Sequence, residues 1–387
     1  MEQQRALLPP IWVDRPSAFE VMIRRLQGQP ELAVDTEANS LYVYREQVCL
    51  IQISVPGLDY LIDPLTLPDV SALGPLLADP AVLKVLHGAE YDLISLYRDF
   101  GFTLANLFDT MWASRILGWP DHGLAALLRT HFGIVLDKRY QRADWGVRPL
   151  PPEQLDYARL DTHYLLALRE VQARELDSSK RWPQARHRFV KLAQSRWEIR
   201  GFDPEGFWRL PGVRDLDDTA RGALRALYLL RDEQAQAANR PPFKLLSNST
   251  LLLLSERRPR NLDELRRLRG VGSSLIRRHG PAVLDAIRRG ARQPLKWEQR
   301  PRGTSNNHAN RPPPEAQARY EALRTWRNAA AQARGVEPDI ILTNQMLWAV
   351  AQRNPRSRDE LSGEGLLASW EVEEFGDQVL AVVRGVK

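Results

Sequence analysis

The chain of 387 residues contains a single cysteine, Cys49. One thiol excludes an intramolecular disulfide and a zinc site built from cysteines, and it is typical of proteins that work in a reducing compartment. The opening residues lack the basic and then apolar pattern of a signal peptide, and no apolar run has the length of a membrane span. We therefore expect a cytoplasmic protein that does not enter a membrane.

Acidic and basic residues are unevenly distributed along the chain. Residues 1–180 contain 17 Lys and Arg against 24 Asp and Glu, a net charge of −7. Residues 181–300 contain 26 against 13, a net charge of +13. This distribution is typical of a catalytic module that gathers carboxylates, followed by a module that holds a polyanion. Charge alone leaves open the alternative of uneven but merely solvated surfaces.

The first 170 residues are predicted to form a mixed β-sheet covered by helices. Alternating and β-branched apolar runs predict strands at 31–35, 48–55 and 60–63. Helical spacing predicts helices at 71–77, 88–100, 109–118 and 124–132, and a long helix that starts at Pro151 and reaches about Arg174.

Strand signals fade beyond residue 181, and an internal repeat follows. A shift of 96 residues aligns 226–265 with 322–361 without a gap and gives 16 identities in 40 positions. The identical pairs include Arg231 with Arg327, and Asn248 with Asn344. We therefore predict two copies of one helical domain. The polar stretch 301–314 between them has almost no apolar residues, which predicts a flexible linker.

Three short motifs carry carboxylates that can act together. Asp35 and Glu37 lie two residues apart at the end of a predicted strand, so their side chains face the same side. Asp92 lies near the start of a predicted helix, and Tyr157 and Asp161 lie four apart on one face of another. Clustered carboxylates are unfavourable unless a cation neutralises them, so these residues are candidate metal ligands. Each motif alone also fits ordinary solvated acids.

The order and spacing of these motifs resemble the DEDD exonuclease superfamily in its tyrosine-bearing subclass, and ribonuclease D in particular. Four neighbouring segments also resemble that family: VDTE at 34–37, LIQI at 50–53, DTM at 109–111 and the segment 138–150. The family usually has Ser where this chain has Ala143. The resemblance implies an α/β ribonuclease H-like exonuclease domain, followed by two all-α helical bundles that resemble the HRDC domain.

The resemblance implies hydrolysis of RNA from its free 3′ end with release of nucleoside 5′-monophosphates, tRNA precursors being the usual substrate, by a monomeric enzyme. It implies two divalent cations, Mg²⁺ or Mn²⁺, which prefer oxygen ligands. Asp35 would bridge the cations, and Glu37 and Asp161 would bind the one that activates water. Asp92 would act mostly through water, and the Tyr157 hydroxyl would orient the nucleophilic water.

The domain boundaries implied by the resemblance and the repeat cover the whole chain. They are 1–180 for the exonuclease domain, 181–215 for a helical connector, 216–294 for the first HRDC domain, 295–315 for the flexible linker and 316–387 for the second HRDC domain.

RNA contacts are predicted around the carboxylates. Lysine and arginine pair with phosphates, and aromatic rings stack on bases. The predicted contacts here are Thr36, His87, Lys138, Gln141, Trp145 and Arg148. Four of these residues have an ordinary alternative. His87 also fits a capping or packing residue, Trp145 fits a core residue, and Lys138 and Arg148 fit solvated cations.

The first HRDC copy contains a Gly-Val-Gly turn that opens a helix between arginines, an arrangement that favours an anion. The predicted RNA contacts there are Arg266, Arg267, Arg277 and Arg278, with a solvated helix face as the alternative. The matching segment of the second copy is acidic, which favours a packing or positioning role.

Two other functions remain compatible with the motifs. A DNA exonuclease would use the same carboxylates, and competition between matched RNA and DNA oligonucleotides separates it from an RNA enzyme. A non-catalytic RNA-binding protein on a decayed nuclease scaffold is disfavoured, because all four carboxylates and the tyrosine are present and clustered acids destabilise a protein without metal.

Overall fold

The structure is a computed structural model that describes residues 8–195, 201–301 and 313–386. The chain divides into two compact units. Described residues of 1–38, 48–197 and 310–387 form the first unit, and those of 39–47 and 198–309 form the second. The second helical copy therefore belongs to the same unit as the predicted exonuclease domain.

Six strands of the first unit form one mixed sheet in the order β1-β4-β3-β2-β5-β6. The strands are β1 Ile11–Val13, β2 Glu31–Ala38, β3 Val48–Val55, β4 Leu58–Ile62, β5 Leu83–Leu86 and β6 Leu107–Asp109. Strand β3 is antiparallel to β2 and to β4, and the other neighbouring strands are parallel. Every residue of β3 is buried, as its continuous apolar run predicts.

Among the described residues up to 195, eight α-helices accompany the sheet. They are α1 Pro16–Leu26, α2 Leu73–Ala78, α3 Glu90–Phe100, α4 Thr110–Leu117, α5 Leu124–Phe132, α6 Pro152–His163, α7 Leu165–Ser178 and α8 Trp182–Ala193. Helices α3, α4 and α5 each end at a glycine in the left-handed conformation, which leaves the last carbonyls bonded without steric cost. The predicted mixed sheet flanked by helices is confirmed.

The long helix predicted from Pro151 to about Arg174 is wrong, because two helices occupy that region. The break falls at Tyr164, between α6 and α7. Just before it, His163 Nδ1 lies 2.8 Å from an Asp59 carboxylate oxygen, and the Tyr164 ring stacks on Phe132 with ring centroids 5.8 Å apart. These side chains bind consecutive residues to different neighbours at the point where α6 ends and α7 begins.

The two repeats contain corresponding helices. The first repeat consists of α9 Asp218–Ala237, α10 Pro242–Leu245, α11 Asn248–Arg257, α12 Leu262–Arg267 and α13 Ser273–Ala291. The second consists of α14 Pro314–Arg334, α15 Pro338–Ile341, α16 Asn344–Arg353, α17 Arg358–Ser362 and α18 Ser369–Gly385. The predicted duplication of a helical domain is therefore confirmed.

One buried arginine has the same partners in both repeats. Arg327 Nη1 donates to the Leu342 carbonyl at 3.2 Å and to Asn344 Oδ1 at 2.7 Å. Arg231 makes the equivalent bonds 96 residues earlier, at 3.1 and 2.7 Å. Both arginines are at most 8% exposed, so each guanidinium ties the long first helix of its repeat to the start of a later helix.

The predicted connector 181–215 is not a separate element among the described residues. Phe189 and Leu192 of α8 pack into the core of the first unit, whereas Phe207 and Trp208 pack into the core of the first repeat. Leu295 also packs against the first repeat, so part of the predicted linker belongs to that fold. Residues 302–312, the centre of the predicted linker, lie outside the described residues.

The second repeat contacts the exonuclease domain through apolar and polar groups, and Ile340 is part of the hydrophobic core of that domain. Arg115 of α4 donates to Glu337 at 2.5 Å and to Asp339 at 2.8 Å. Gln184 of α8 donates to the Ile340 carbonyl at 2.6 Å. Among the described residues, none of the helices has both the length and the apolar composition to cross a membrane.

The buried arginine of the second repeat is expected to stabilise the fold. Arg327→Met leaves the Leu342 carbonyl and Asn344 Oδ1 without their donor, and should lower the free energy of unfolding by about 1–3 kcal/mol. Urea unfolding of the full chain measures the change. Arg324→Met is the control, since Arg324 is exposed and paired only with Glu321, and should change stability by less than about 0.5 kcal/mol. Equal effects of the two substitutions would contradict the assigned role.

Candidate active site

Three carboxylates converge where helix α6 packs on strand β2. Asp35 and Glu37 lie two apart on β2 and face the same side of the sheet. Helix α6 brings Asp161 to them, and the carboxylate oxygens of the three residues lie within 4.8 Å of one another. In the part of the chain that the structure describes, no second group of three or more potential metal ligands is this compact.

Asp92 lies beside this group, in the first turn of α3. Its carboxylate accepts a hydrogen bond of 2.5 Å from the Thr36 hydroxyl, and it is buried. The charge of Asp92 raises the pKa of Asp35, of Glu37 and of Asp161. The structure therefore brings all four predicted carboxylates together, with Asp92 outside the closest group.

Burial makes ionisation of the four carboxyl groups unfavourable. Burial first, and then repulsion by the neighbouring carboxylates, holds the pKa of Asp35 and of Glu37 well above their usual values. Burial also raises the pKa of Asp92 and of Asp161 to about 7. Such a cluster stays fully ionised at neutral pH only if positive charge is supplied to it.

Asp109 fixes the start of two helices at once. Its carboxylate accepts the backbone N–H groups of Gly88 and Ala89 before α3, at 3.1 and 2.8 Å. It also accepts those of Met111 and Trp112 in the first turn of α4, at 2.9 and 3.0 Å. Because α3 begins at this contact, Asp109 sets the position from which Asp92 reaches the cluster.

Helix α6 is fixed to the sheet by the two residues that follow Asp161. The Thr162 hydroxyl lies 2.7 Å from the Ser54 hydroxyl of β3, and Ser54 donates to Asp59 at 2.7 Å. His163 Nδ1 contacts the same Asp59 carboxylate at 2.8 Å. These bonds set the rotation of α6 about its axis, and so the direction in which Asp161 points.

Tyr157 lies one turn before Asp161 on α6, and its hydroxyl lies close enough to the Asp161 carboxylate to lower the pKa of that carboxyl. Burial and the negative charge of Asp161, Glu37 and Asp35 raise the pKa of Tyr157 far above its usual value in the metal-free protein. The phenol of the metal-free protein therefore keeps its proton at neutral pH. It can donate a hydrogen bond and orient a group, but it cannot act as a base.

His87 lines the cavity into which the carboxylates open. Its imidazole is neutral. Burial lowers its pKa to about 4. The Thr110 hydroxyl donates to the Leu86 carbonyl at 3.0 Å and lies 2.9 Å from His87 Nδ1, so Nδ1 carries the proton and donates to that hydroxyl. Nε2 is then an unprotonated acceptor.

The carboxylates open into a cavity of about 580 Å³. It is lined by Asp35, Thr36, Glu37, His87, Asp121, Gly123, Leu124, Ala125, Ala126, Leu136, Gln141, Tyr157 and Asp161. Gln141 was predicted as a contact and lies on the wall. Sequence reasoning missed Asp121, Leu124 and Leu136, because nothing in their local pattern distinguishes them from loop and helix residues elsewhere.

Two of the predicted RNA contacts are wrong. Trp145 is 1% exposed and packs with Leu50 and Ala158, so its ring is not available for a base. Arg148 directs all five of its N–H groups to protein acceptors: the Asp63 carboxylate at 2.6 and 2.8 Å, and the carbonyls of Cys49, Trp145 and Val147. A guanidinium with no N–H left over cannot also bind a phosphate.

The remaining predicted contacts stay predictions. Lys138 begins a short 3-10 helix at Lys138–Tyr140, and its side chain lies outside the described residues. In the first repeat, all four predicted arginines are exposed: Arg266, Arg267, Arg277 and Arg278. Arg266 forms an exposed ion pair with Asp263, at 2.7 Å.

The residues present fit divalent metal ions. Asp35, Glu37 and Asp161 offer only carboxylate oxygens, the ligands that hard cations such as Mg²⁺ and Mn²⁺ prefer. Their raised pKa values indicate negative charge that needs compensation. Among the described residues, none of the four carboxylates forms a salt bridge with a lysine or an arginine, so a bound cation would be the compensating charge.

Comparison with known proteins supplies the family. Residues 10–177 match the model of a 3′-5′ exonuclease, and residues 220–287 and 316–383 each match the HRDC domain. A ribonuclease D from Gluconacetobacter diazotrophicus is 28% identical over 379 residues, which cover 97% of this chain and 93% of that protein. The chain belongs to the ribonuclease D family. The two HRDC matches of this ribonuclease D family member fall within the two structural repeats, one in each.

Relatives from eukaryotes share the exonuclease part. The catalytic core of RRP6 from Trypanosoma brucei, a solved structure, is 30% identical, with a TM-score of 0.65 and coverage of 73% of this chain and 79% of that chain. Protein RRP6-like 1 of Arabidopsis thaliana is 34% identical over 301 residues, which cover 74% of this chain. The chain spans less than half the length of the first curated relatives it matches.

The carboxylate cluster is expected to destabilise the metal-free protein as the pH rises. Because Asp92 and Asp161 have a pKa of about 7 in the folded chain and near 4 when unfolded, their contribution to stability is complete below about pH 4 and is lost by about pH 7. Asp35→Asn removes one buried charge, and in EDTA at pH 8 should raise the free energy of unfolding by about 1–3 kcal/mol. This increase in the free energy of unfolding should be smaller at pH 5.

Thermal unfolding of both proteins with and without Mg²⁺ checks this expectation. Magnesium should raise the midpoint of the wild-type protein more than that of Asp35→Asn, which has lost a ligand. A variant that is less stable than the wild-type protein in EDTA at pH 8 would show that Asp35 stabilises the apo fold instead.

Proposed function

We propose that this protein is a metal-dependent 3′→5′ exoribonuclease that releases nucleoside 5′-monophosphates from the 3′ ends of structured RNAs, tRNA precursors among them. The observation that carries the proposal is the half-buried group of Asp35, Glu37 and Asp161, with Asp92 beside it, in the lining of an open cavity. Membership of the ribonuclease D family supports the polarity and the choice of RNA. The proposal includes action as a monomer in the cytoplasm.

The four carboxylates would hold two divalent cations, Mg²⁺ or Mn²⁺. When bound, such ions supply an ionised water at neutral pH and neutralise the charge on the leaving 3′-oxygen. The chain's own contribution is to hold one carboxylate oxygen each of Asp35, Glu37 and Asp161 within 4.8 Å of one another, with Asp92 beside them. Among the described residues, no lysine or arginine forms a salt bridge that would compete for them.

Tyr157 and His87 would handle the substrate by hydrogen bonds. The Tyr157 phenol, which keeps its proton, can hold the attacking water or a phosphate oxygen in position next to Asp161. The unprotonated Nε2 of His87 can accept a hydrogen bond from a sugar hydroxyl of the terminal nucleotide. Gln141, which also lines the cavity, supplies a further polar group.

A time course on an RNA with a 3′ extension and a 5′ label tests the proposed activity. With Mg²⁺, the wild-type protein should shorten the RNA stepwise from its 3′ end. Asp35→Asn should reduce kcat by at least about 10³-fold, because a metal ligand is removed, and EDTA should abolish activity.

A matched DNA strand and an RNA with a blocked 3′ end complete the design. Shortening from the 5′ end, or equal rates in EDTA, would contradict the proposed reaction. Tight binding of RNA without any shortening would favour an RNA-binding protein in place of an enzyme.

We propose that the first repeat binds nucleotides of the RNA other than those at the scissile bond. Arg277 and Arg278 are exposed in the first turns of α13, and among the described residues neither forms an ion pair. Arg277→Gln combined with Arg278→Gln should weaken RNA binding by about 10-fold at 0.1 M salt, and should lower the slope of log K against log [salt] by about 1.4, since each lost phosphate contact to single-stranded RNA removes about 0.7.

The matched control removes two arginines from the other end of the same helix. Arg288 and Arg289 both pair with Asp285. Substituting both with Gln should leave the salt slope nearly unchanged, while an equal loss of binding would mean that net charge, and not position, governs the interaction.

A further inference from the structure

Gln52 of strand β3 is buried with an unused side-chain amide. It is 0% exposed, and neither its Oε1 nor its Nε2 has a hydrogen-bond partner. Burying an amide without a partner costs free energy, and a methionine or leucine would fill the same space without that cost. An unpaired amide at such a position therefore calls for a physical reason.

The register of the sheet places Gln52 beside the carboxylates. Gln52 is directly opposite Asp35 in the antiparallel pairing of β3 with β2, and residues paired in this way project to the same face. On β3 it lies between Leu50, which packs with Ala158 of α6, and Ser54, which contacts Thr162 of α6. Gln52 therefore faces the part of α6 that carries Asp161.

Two of the other three carboxylates of the site already have a neutral side-chain donor beside them. The Thr36 hydroxyl donates to Asp92, and the Tyr157 hydroxyl lies close enough to Asp161 to lower the pKa of that carboxyl. The backbone N–H of Thr36 lowers the pKa of Asp35, and no side-chain donor to Asp35 is found among the described residues. The amide of Gln52 is the unused donor on the same face.

We propose that Gln52 is a positioning residue for the metal site. Its Nε2–H donates to the Asp35 carboxylate when the cluster is ionised around divalent cations, and so fixes the orientation of that ligand. The inference rests on the proposed function, because it requires cations at the cluster. It assigns Gln52 a role through Asp35 and no contact with the substrate.

Gln52→Met tests the proposal, because methionine has the length of glutamine but no donor. Without metal, the thermal midpoint of the full chain in EDTA should equal or exceed that of the wild-type protein, since an unpaired buried amide has been removed. The Mg²⁺ concentration that gives half of the magnesium-induced rise in thermal midpoint should increase about 10-fold. At subsaturating Mg²⁺, kcat on the 3′-extended RNA should fall about 10-fold with KM within twofold.

Gln184→Met is the matched control, because Gln184 is a buried glutamine far along the chain whose amide donates to the Ile340 carbonyl. It should lower the thermal midpoint and leave the magnesium dependence unchanged. Gln52→Leu serves as a second apolar variant if Gln52→Met folds poorly.

The outcomes separate the two proposals. A Gln52→Met protein whose Mg²⁺ half-saturation equals that of the wild-type protein would overturn the positioning role and leave the exoribonuclease proposal intact. A wild-type protein that shows neither a magnesium-induced rise in thermal midpoint nor shortening of RNA would overturn the proposed function, and this inference with it.

Discussion

Repulsion among four carboxyl groups, of which Asp92 is buried and the other three are half-buried, is the constraint on which the exonuclease domain depends. Asp35 and Glu37 come from a strand, and Asp92 and Asp161 from two helices, so three separate elements must be held at one place against their charges. The fold meets this requirement with neutral donors, among them Thr36 for Asp92. A lysine or arginine in that place would hold the carboxylates more strongly, but it would also cancel the charge that a metal ion needs.

The strong ionic contacts of this domain are kept outside the cluster. Arg148 binds Asp63 and three carbonyls, and thereby fixes the loop that precedes α6. His163 contacts Asp59 and fixes the end of the same helix. Helix α6 is thus fixed on both sides of its functional residues, which lets Tyr157 and Asp161 remain in place without charged partners of their own.

Spacing in the sequence was sufficient to pair Asp35 with Glu37 and Tyr157 with Asp161, because a two-residue or four-residue interval fixes which side chains share a face. Apolar patterning placed β3 and α5. That the three motifs form one site was expected from the family resemblance and not from spacing. Strands β1, β5 and β6 were not predicted, since three or four residues are too few to display a period. The roles of Trp145 and Arg148 could not be predicted from composition, because a loop rich in arginine and tryptophan has the same composition whether these side chains face solvent or the core. Asp109 and Gln52 likewise depend on partners that are distant in sequence.

The arginine shared by the two repeats has a consequence for how such a domain can change. Its acceptors are a carbonyl and an asparagine inside the repeat, so the contact makes no demand on the outer surface. The first copy is strongly basic after position 265, while the second is acidic over the matching segment and makes polar contacts with the exonuclease domain. Surface substitutions can therefore change the charge of either copy from basic to acidic without removing this internal contact.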